Sequence, residues 1–306
     1  MATETTATLS NSVKTYYDRV LLVRNIAVNI HNQFGQVGRI AVRGGKTIEF
    51  RRYNSLTPAT TALTEGVAPA GSNLSVTLVS ATIEQLGDFV KMSDVLETQA
   101  VDEVGQEAAE LLGEQSGETM DLKTRDVLAA GTTVQYAGGV AGRANVAIGN
   151  KLTSAEVKKA VRTLKRNKAK RINGFYVCLC HVDAAYDLMN DSEWIAVNQY
   201  NGGEAIYAGE LGRIHGVRFV ESTNAKVFAA AGSGGIDVYA SLFLGANAYG
   251  IVSLAALGLE FIYKPRGSAG TSDPLNQVST AGWKASHIAK ILQDLFMCRV
   301  EHACTA

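Results

Sequence analysis

The chain has 306 residues, of which 46% are hydrophobic and 19% are charged, a balance typical of a folded globular protein. Its 29 basic and 29 acidic residues give a formal net charge of zero, which argues against a protein that mainly wraps nucleic acid. No apolar run approaches the roughly 20 residues that span a bilayer, and the opening MATETTATLSNSVK does not resemble a signal peptide. We therefore expect no membrane partner, and a protein kept in the cytoplasm or in an assembly built there.

The stretch RGGKT at 43–47 ends like a phosphate-binding loop. Such a loop requires glycine at position 40, where this chain has Ile40. Apolar and polar residues alternate over 48–53, which is typical of a strand and not of the helix that a phosphate loop needs. We therefore interpret Gly44 and Gly45 as a turn and not as part of a nucleotide site.

Residues 44–91 predict two strands separated by a long polar loop. The strands are expected at 46–53 and 74–91, and the segment between them, NSLTPATTALTEGVAPAGSN, contains turn formers such as Gly66 and Pro69. About 20 residues without a helix or strand pattern are long for a loop of a compact domain. An isolated two-stranded ribbon is only marginally stable in water. We therefore expect a protruding hairpin that lies on a partner surface.

Two segments of opposite charge follow the predicted hairpin. Residues 93–122 contain nine acids and no Lys or Arg, and residues 157–172 contain eight bases and no acid. The acids are Asp94, Glu97, Asp102, Glu103, Glu107, Glu110, Glu114, Glu118 and Asp121; the bases are Lys158, Lys159, Arg162, Lys165, Arg166, Lys168, Lys170 and Arg171. Apolar spacing predicts one helix over 93–130, about 55 Å long, and a second helix after the capping box of Thr153 and Glu156. The charges fit either solvated helix faces or complementary surfaces that meet between copies of the chain.

The C-terminal half alternates predicted strands and helices, which indicates an α/β or α+β layer. FYVCLCH at 175–181 predicts a buried strand, and a short helix is expected at 182–189. LGRIHGVRFV at 211–220 predicts a turn that leads into a strand. The apolar C-terminal segment from position 282 onward predicts a returning strand.

No sequence pattern assembles a catalytic site. The chain contains no G-x-G-x-x-G, G-x-S-x-G or H-E-x-x-H motif. Asp191 and Glu193 could form an acid–base pair, but a capped, solvated turn is the more ordinary interpretation. The basic helix lacks the aromatic side chains that nucleic-acid binders add for stacking, which favours a solvated or protein-facing surface. We therefore predict no catalytic residue and no cofactor site.

The cysteines raise the separate question of a metal site. They are Cys178, Cys180, Cys298 and Cys304, and they lie close in sequence to His181 and His302. Structural zinc sites usually take C-x₂₋₄-C pairs, whereas C-x-C on a strand places both thiols on one face and His181 on the other. So few cysteines in a chain of this length favour a reducing compartment. We predict buried free thiols that pack as small hydrophobic groups, and no metal site.

The order of these features resembles the major capsid proteins of tailed bacteriophages, which share the Hong Kong 97-like fold. LTEGVAP at 63–69 and ATIEQLGDFVKMSD at 81–94 resemble the short-tailed-phage branch of these proteins. LGRIHGVRFVEST at 211–223 resembles a turn and strand common in the axial domain of that family. Gly-Trp-Lys at 282–284 resembles the start of its returning segment. The resemblance covers nearly the whole chain.

The resemblance implies an α+β, Hong Kong 97-like capsid fold with an N-terminal arm, an extended β-hairpin loop, a long spine helix, and peripheral and axial domains. The implied divisions are the arm at 1–43, the hairpin loop at 44–91, the peripheral domain with the spine helix at 92–150, the axial domain at 151–263 and a return to the peripheral domain at 264–306. The residues assigned to assembly are Gly44, Gly45, Lys46, Leu63, Glu65, Gly66, Pro69 and Trp283. Gly44 and Gly45 would be the hinge at the root of the hairpin, and Lys46 would face solvent or a neighbouring chain.

The function that the resemblance implies is structural and not enzymatic. Copies of the chain would form hexamers and pentamers of an icosahedral virion shell, assembled in the host cytoplasm around double-stranded DNA that is contacted without sequence specificity. Further implied partners are a separate scaffold protein and a portal, and a decoration protein outside the shell is left open. Two alternatives remain: an encapsulin-like compartment that stores an enzyme, and an α+β cytoplasmic enzyme whose site the sequence does not reveal.

Overall fold

The computed structural model describes residues 29–40, 45–99, 104–195, 212–254 and 258–305. Gly44 and most of the predicted arm therefore lie outside the described residues. The helices are α1 (Asp94–Gln99), α2 (Val104–Ala129), α3 (Ser154–Arg166) and α4 (Val182–Met189). The strands are β1 (Gln36–Ile40), β2 (Thr47–Tyr53), β3 (Val76–Thr82), β4 (Glu84–Ser93), β5 (Val134–Tyr136), β6 (Tyr176–Cys180), β7 (Arg213–Ile214), β8 (Val217–Glu221), β9 (Val227–Phe228), β10 (Val238–Leu244), β11 (Tyr249–Leu254), β12 (Glu260–Lys264), β13 (Val278–Ile291) and β14 (Met297–His302).

Strands β2 and β3 form an antiparallel ribbon that is a sheet of its own. The pairing runs from Thr47 opposite Thr82 to Tyr53 opposite Val76. The strand expected at 46–53 is confirmed by β2. The single strand expected at 74–91 is instead divided into β3 and β4, because β4 leaves the ribbon and pairs with β13.

The long strand β13 organises a five-stranded sheet. One edge of β13 pairs with β4, from Val278 opposite Ser93 to His287 opposite Glu84. Strand β12 pairs with the other edge, β11 pairs with the last residues of β13, and β1 runs parallel to β11. The single strand predicted for the C-terminal segment is instead divided into β13 and β14, and β14 joins a different sheet by pairing with β10.

Helix α2 packs along β13 through a face of small side chains. The helix has 26 residues and is about 39 Å long. Ala109, Gly113 and Gly117 are buried on the side that meets the sheet, and their small size lets the helix axis approach the strands closely. The core of this layer contains Met92, Leu112, Met120, Phe261 and Trp283. The single helix expected over 93–130 is divided into α1 and α2, with 100–103 outside the described residues.

A second, seven-stranded sheet has the order β5-β14-β10-β6-β8-β7, with β9 beside β10. Helices α3 and α4 cover one face, where Val157 and Leu164 of α3 pack near Phe243 of β10. The other face packs against Leu128 of α2 and Tyr249 of β11, which joins the two sheets into one body. Strands β6 and β10 are therefore covered on both faces, which explains their nearly continuous apolar sequences.

Candidate assembly surfaces

The ribbon ends in a long loop, residues 54–75, that is entirely exposed. Its large apolar side chains lie in solvent: Leu63 is 76% exposed, Leu74 is 71% exposed, and Leu56 and Val67 are each more than half exposed. Monomeric proteins rarely leave several large apolar side chains on one projecting segment, and such surfaces usually mark interaction sites. The loop is therefore the first candidate surface for contact with another chain.

Four of the predicted assembly residues belong to this loop. They are Leu63, Glu65, Gly66 and Pro69, and all four are exposed. Gly66 has a φ of +76°, a left-handed conformation that favours glycine. The N–H of Val67 donates to the carbonyl of Thr64 at 3.2 Å, which closes a tight turn around this glycine. The structure gives these residues a defined, accessible conformation, and their role in assembly stays a prediction.

Gly45 and Lys46 lie at the opposite end of the ribbon, where the chain enters β2. Gly45 has a φ of +82°, and no atom would lie within 4 Å of a Cβ at this position. Lys46 is exposed, and its carbonyl accepts a hydrogen bond from the N–H of Ile83 at 2.9 Å. This bond closes the root of the ribbon immediately before β4 begins. The hinge function assigned to Gly44 and Gly45 stays a prediction, with Gly44 outside the described residues.

One face of strand β2 is anchored to the five-stranded sheet along the length of the ribbon. A Cβ at Gly250 would lie 2.8 Å from Cζ of Phe50, and one at Gly38 would lie 3.2 Å from the same atom. These two glycines on β1 and β11 therefore make room for the ring. Nη1 of Arg52 also donates to the carbonyl of Leu292 at 3.1 Å. The ribbon is thus held against the body as far as Arg52, two residues before the exposed loop begins.

A polar clamp joins the two strands where the exposed loop begins. The backbone N–H of Asn54 donates to the carbonyl of Ser75 at 3.0 Å, and its side-chain amide donates to Ser75 Oγ at 3.1 Å. The hydroxyl of Thr77 donates to Asn54 Oδ1, also at 3.1 Å. The clamp holds the two ends of the loop together, so that the loop projects as one unit.

A groove of about 710 Å³ crosses the face of the five-stranded sheet that is turned away from α2. Phe89 of β4, Ile262 of β12 and Val278 of β13 supply apolar walls, and Phe89 is 58% exposed. Gly87 and Gly282 also line the groove, and a Cβ at either would lie 2.6 or 2.7 Å from the facing strand, so glycine permits the close approach of β4 and β13. The sequence does not reveal this groove, because its lining comes from β4, β12 and β13, which become neighbours only when the sheet forms.

Trp283, the last of the predicted assembly residues, belongs to β13, and its side chain lies on the face of the sheet that packs against α2. It is 4% exposed and packs beneath α2 with Leu112 and Phe261. Its Nε1 donates to Oε1 of Gln115 at 3.0 Å. The side chain therefore stabilises the contact between α2 and the sheet inside the chain, and its assigned role in assembly stays a prediction.

The turn that contains Asp191 and Glu193 has a structural explanation. The carboxylate of Asp191 accepts the backbone N–H of Ser154 at 2.8 Å, at the start of α3, and that of Glu193 at 2.9 Å. The carboxylate of Glu193 accepts a hydrogen bond from Lys158 at 2.6 Å, which lowers the pKa of Glu193. The two acids therefore cap and pair with neighbouring groups, and the interpretation as a capped, solvated turn is confirmed.

The next feature is the set of four thiols. Cys178, Cys180, Cys298 and Cys304 are free and buried, which confirms the prediction of buried free thiols. Burial raises the pKa of Cys298 to about 12 and raises the pKa of Cys178 and of Cys304 strongly. Such thiols stay protonated at neutral pH and are poor nucleophiles and poor metal ligands. Within the ranges that the structure describes, no group of three or more His, Cys, Asp or Glu residues could hold a metal ion.

Comparison with known proteins assigns the family. A family model described as phage capsid protein matches residues 76–300. The chain belongs to the phage capsid protein family. The match covers strands from β3 to β14 and all four helices, so the family assignment rests on both sheets and not on one motif. No curated protein sequence matches the chain.

Solved phage capsids share the fold. The capsid of cyanophage P-SCSP1u is 16% identical with a TM-score of 0.69, and the match covers 91% of this chain and 89% of that one. The capsid of Ralstonia phage GP4 is 15% identical with a TM-score of 0.70, over 91% and 89%. The cyanophage Pam1 capsid asymmetric unit is 15% identical with a TM-score of 0.71, over 90% of each chain.

These comparisons decide several of the predictions made from the sequence. The α+β, Hong Kong 97-like fold and the resemblance to tailed-phage major capsid proteins are confirmed. The role of this capsid protein is structural and not enzymatic, so the alternative of an α+β cytoplasmic enzyme is excluded. Over the described part of the chain, no helix is long and apolar enough to cross a membrane.

Proposed function

We propose that copies of this capsid protein assemble into hexamers and pentamers of an icosahedral virion shell that encloses double-stranded DNA. Family membership over residues 76–300 and a shared fold with solved phage capsids support this proposal. The shell would be assembled in the host cytoplasm.

The observation that carries the proposal is the exposed loop at 54–75. It projects from an anchored ribbon and exposes Leu63, Val67 and Leu74 to solvent. These side chains therefore add no burial energy to the stability of a monomer. A neighbouring copy that covers this loop would bury apolar surface, and each Å² buried would stabilise the contact by about 25 cal/mol. In a closed shell each copy makes several such contacts at once, so that no single contact has to be tight.

We further propose the division of labour that the resemblance implies. Residues 44–91 would reach over the adjacent copy, while 92–150 and 264–306 would form the peripheral domain and 151–263 the axial domain. The arm at 1–43 would contact another copy. A separate scaffold protein and a portal would take part in assembly, and packaged DNA would be contacted without sequence specificity.

The experiment compares the full chain with a variant that lacks residues 57–72, both examined by negative-stain electron microscopy after expression and purification. The full chain is expected to form closed particles of megadalton size. The deletion is expected to fold, with unchanged thermal unfolding, because the removed residues lie beyond the clamp of Asn54 and Ser75 and touch no core. Closed shells from the deletion variant would contradict the role of the loop.

The cargo of the particles separates a virion shell from a storage compartment. Particles made with the phage packaging proteins are treated with nuclease, and the protected contents are then extracted. Protected double-stranded DNA supports the proposal. A co-purified protein cargo without DNA supports the encapsulin-like alternative, and a small stable oligomer would contradict both.

A further inference from the structure

The exposed side of helix α3 carries bases and no acid. The exposed bases are Lys158, Lys159, Arg162, Lys165 and Arg166. Lys158 and Lys159 have carboxylate partners on the same chain, at 2.6 and 2.7 Å. Across the ranges that the structure describes, Arg162, Lys165 and Arg166 form no ion pair. This surface, the basic side of α3, therefore retains uncompensated positive charge.

A shallow cavity of about 730 Å³ lies against the basic side of α3. Val161, which is 4% exposed, contributes apolar surface to its lining. Arg162, Lys165 and His215 stand around it. A partner that fills the cavity would therefore combine a small apolar group with surrounding carboxylates.

Helix α2 presents the complementary chemistry. Glu107 and Glu118 are exposed and lie on the same side of the helix, because eleven residues correspond to about three turns. Glu110 and Glu114 lie between them on that side. Leu111 stands among these acids and is 62% exposed, although α2 buries its opposite face against β13. We call this surface the acidic side of α2.

We propose that the acidic side of α2 in one copy docks on the basic side of α3 in a second copy, with Leu111 in the cavity beside Val161. The proposal rests on the proposed function, since it concerns copies within one shell. The acidic strip from Glu107 to Glu118 spans about 16 Å, which is long enough to reach every exposed base from Lys158 to Arg166, a distance of about 12 Å. Complementary charge of this kind favours one register and rapid, selective association.

Within one chain the two surfaces are held away from each other. Helix α2 lies on the five-stranded sheet, whereas α3 lies on the seven-stranded sheet, and each helix turns its charged side away from its own sheet. A second copy can therefore bring them together without rearrangement of either sheet.

The phosphate backbone of DNA is the other partner that a basic helix could fit. Lys and Arg contact duplex phosphates through charge and hydrogen bonds alone. The apolar part of the cavity beside Val161 has no counterpart on a phosphate backbone. The same chain supplies a carboxylate strip with an exposed leucine at its centre, and these observations favour a second copy over DNA.

The test reverses the charges on each helix and then on both. Arg162→Glu with Lys165→Glu, and separately Glu107→Lys with Glu118→Lys, are each expected to lower the yield of closed shells about tenfold. The variant with all four changes restores opposite charges across the contact and is expected to recover the yield. Arg218→Glu with Lys290→Glu is the matched control for the first pair, because it makes net charge more negative by the same amount at exposed sites elsewhere.

Thermal unfolding of each variant separates assembly from folding, and all four changes are at exposed side chains. If a reversed pair unfolds at a lower temperature, Arg162→Gln with Lys165→Gln carries the same test.

Wild-type protein that forms no shell overturns the proposed function and this contact together. Normal shells from either reversed pair, or no recovery in the four-residue variant, overturn only the contact. DNA is the partner of the basic side instead if two results occur together. Wild-type protein binds a short double-stranded DNA fragment that the Arg162→Glu and Lys165→Glu variant does not bind, and the four-residue variant does not recover shell yield.

Discussion

His31 and Asp121 form a buried pair that fastens the segment before β1 to helix α2. Nδ1 of His31 lies 2.7 Å from Oδ2 of Asp121, and the backbone N–H of His31 donates to Oδ1 at 2.6 Å. Both side chains are at most 1% exposed. The carbonyl of His31 also accepts a hydrogen bond from the hydroxyl of Tyr249. One carboxylate therefore fixes the path of the chain where it enters the five-stranded sheet.

We expect Asp121→Asn to destabilise the protein by about 2 kcal/mol, because an amide offers one acceptor oxygen in place of the two carboxylate oxygens that contact His31 and so leaves a buried polar group unsatisfied. The free energy of unfolding is measured by urea denaturation of the unassembled chain. Asp126→Asn on the same helix is the control, since Asp126 is about half exposed and pairs with Arg125 and Lys226 at the surface. We expect Asp126→Asn to lower the free energy of unfolding by about 0.5 kcal/mol. Equal effects of the two substitutions would contradict a stabilising role for the buried contact between His31 and Asp121.

Local patterns in the sequence were sufficient to predict several elements. The capping box and apolar spacing of α3, and the apolar run of β6, identify a helix and a strand because each depends on neighbours a few residues apart. The exposed loop was predicted from its length and composition. What the sequence did not reveal is pairing at long range, such as the departure of β4 from the ribbon at Ile83 to join β13.

The same limit explains what was missed in the candidate surfaces. In β4, Phe89 and Lys91 alternate with Val90 and Met92, which indicates a strand with two different faces. That alternation does not say which strands lie beside it, so the groove lined by Phe89 and Ile262 could not be predicted. Similarly, the contact between Nε2 of His287 and the hydroxyl of Thr124 at 2.9 Å joins residues 163 positions apart.

Trp283 provides a test that separates packing inside the chain from assembly. Trp283→Phe keeps most of the ring volume but removes the hydrogen bond to Gln115, so we expect a loss of about 1 kcal/mol in the free energy of unfolding. Trp283→Ala also leaves a cavity beneath α2 and should cost about 4 kcal/mol. Urea denaturation of the unassembled chain measures both losses.

Shell formation by the Trp283→Phe variant is the second measurement. Because the side chain lies in the core, we expect shells of normal yield at a temperature at which the variant is folded. Full stability combined with failure to assemble would instead support the direct assembly role that the sequence resemblance gave to Trp283.

The buried histidines predict a dependence of stability on pH. Burial lowers the pKa of His302 to about 4, against the opposing effects of the Ala303 carbonyl and the carboxylates of Asp187 and Glu301. Burial also lowers the pKa of His287 to about 4. In the unfolded chain both side chains have a pKa near 6.5, so the unfolded state binds more protons between about pH 6.5 and pH 4.

Stability from each buried histidine is therefore fully present above pH 6.5 and is lost as the pH falls through that window. Between pH 7 and pH 5 the loss is about 2 kcal/mol per histidine. We expect His302→Gln to weaken the pH dependence of urea unfolding by about this amount, whatever its effect on stability at pH 7. His215→Asn is the control, because His215 is partly exposed and asparagine accepts its left-handed φ of +53°. An unchanged pH slope in His302→Gln would contradict the assignment.

The exposed loop gives a prediction in which assembly is lost while folding is almost unchanged. Leu63 is 76% exposed and Val67 is 63% exposed, so Leu63→Asp with Val67→Asp should change the free energy of unfolding by less than about 0.5 kcal/mol. Placing two carboxylates where a neighbour covers apolar surface should lower the yield of closed shells by about tenfold or more. Electron microscopy counts the shells, and Thr60→Asp with Thr61→Asp, exposed in the same loop, controls for added charge alone. Equal losses in the two variants would show that charge, and not the apolar contact of Leu63 and Val67, limits assembly.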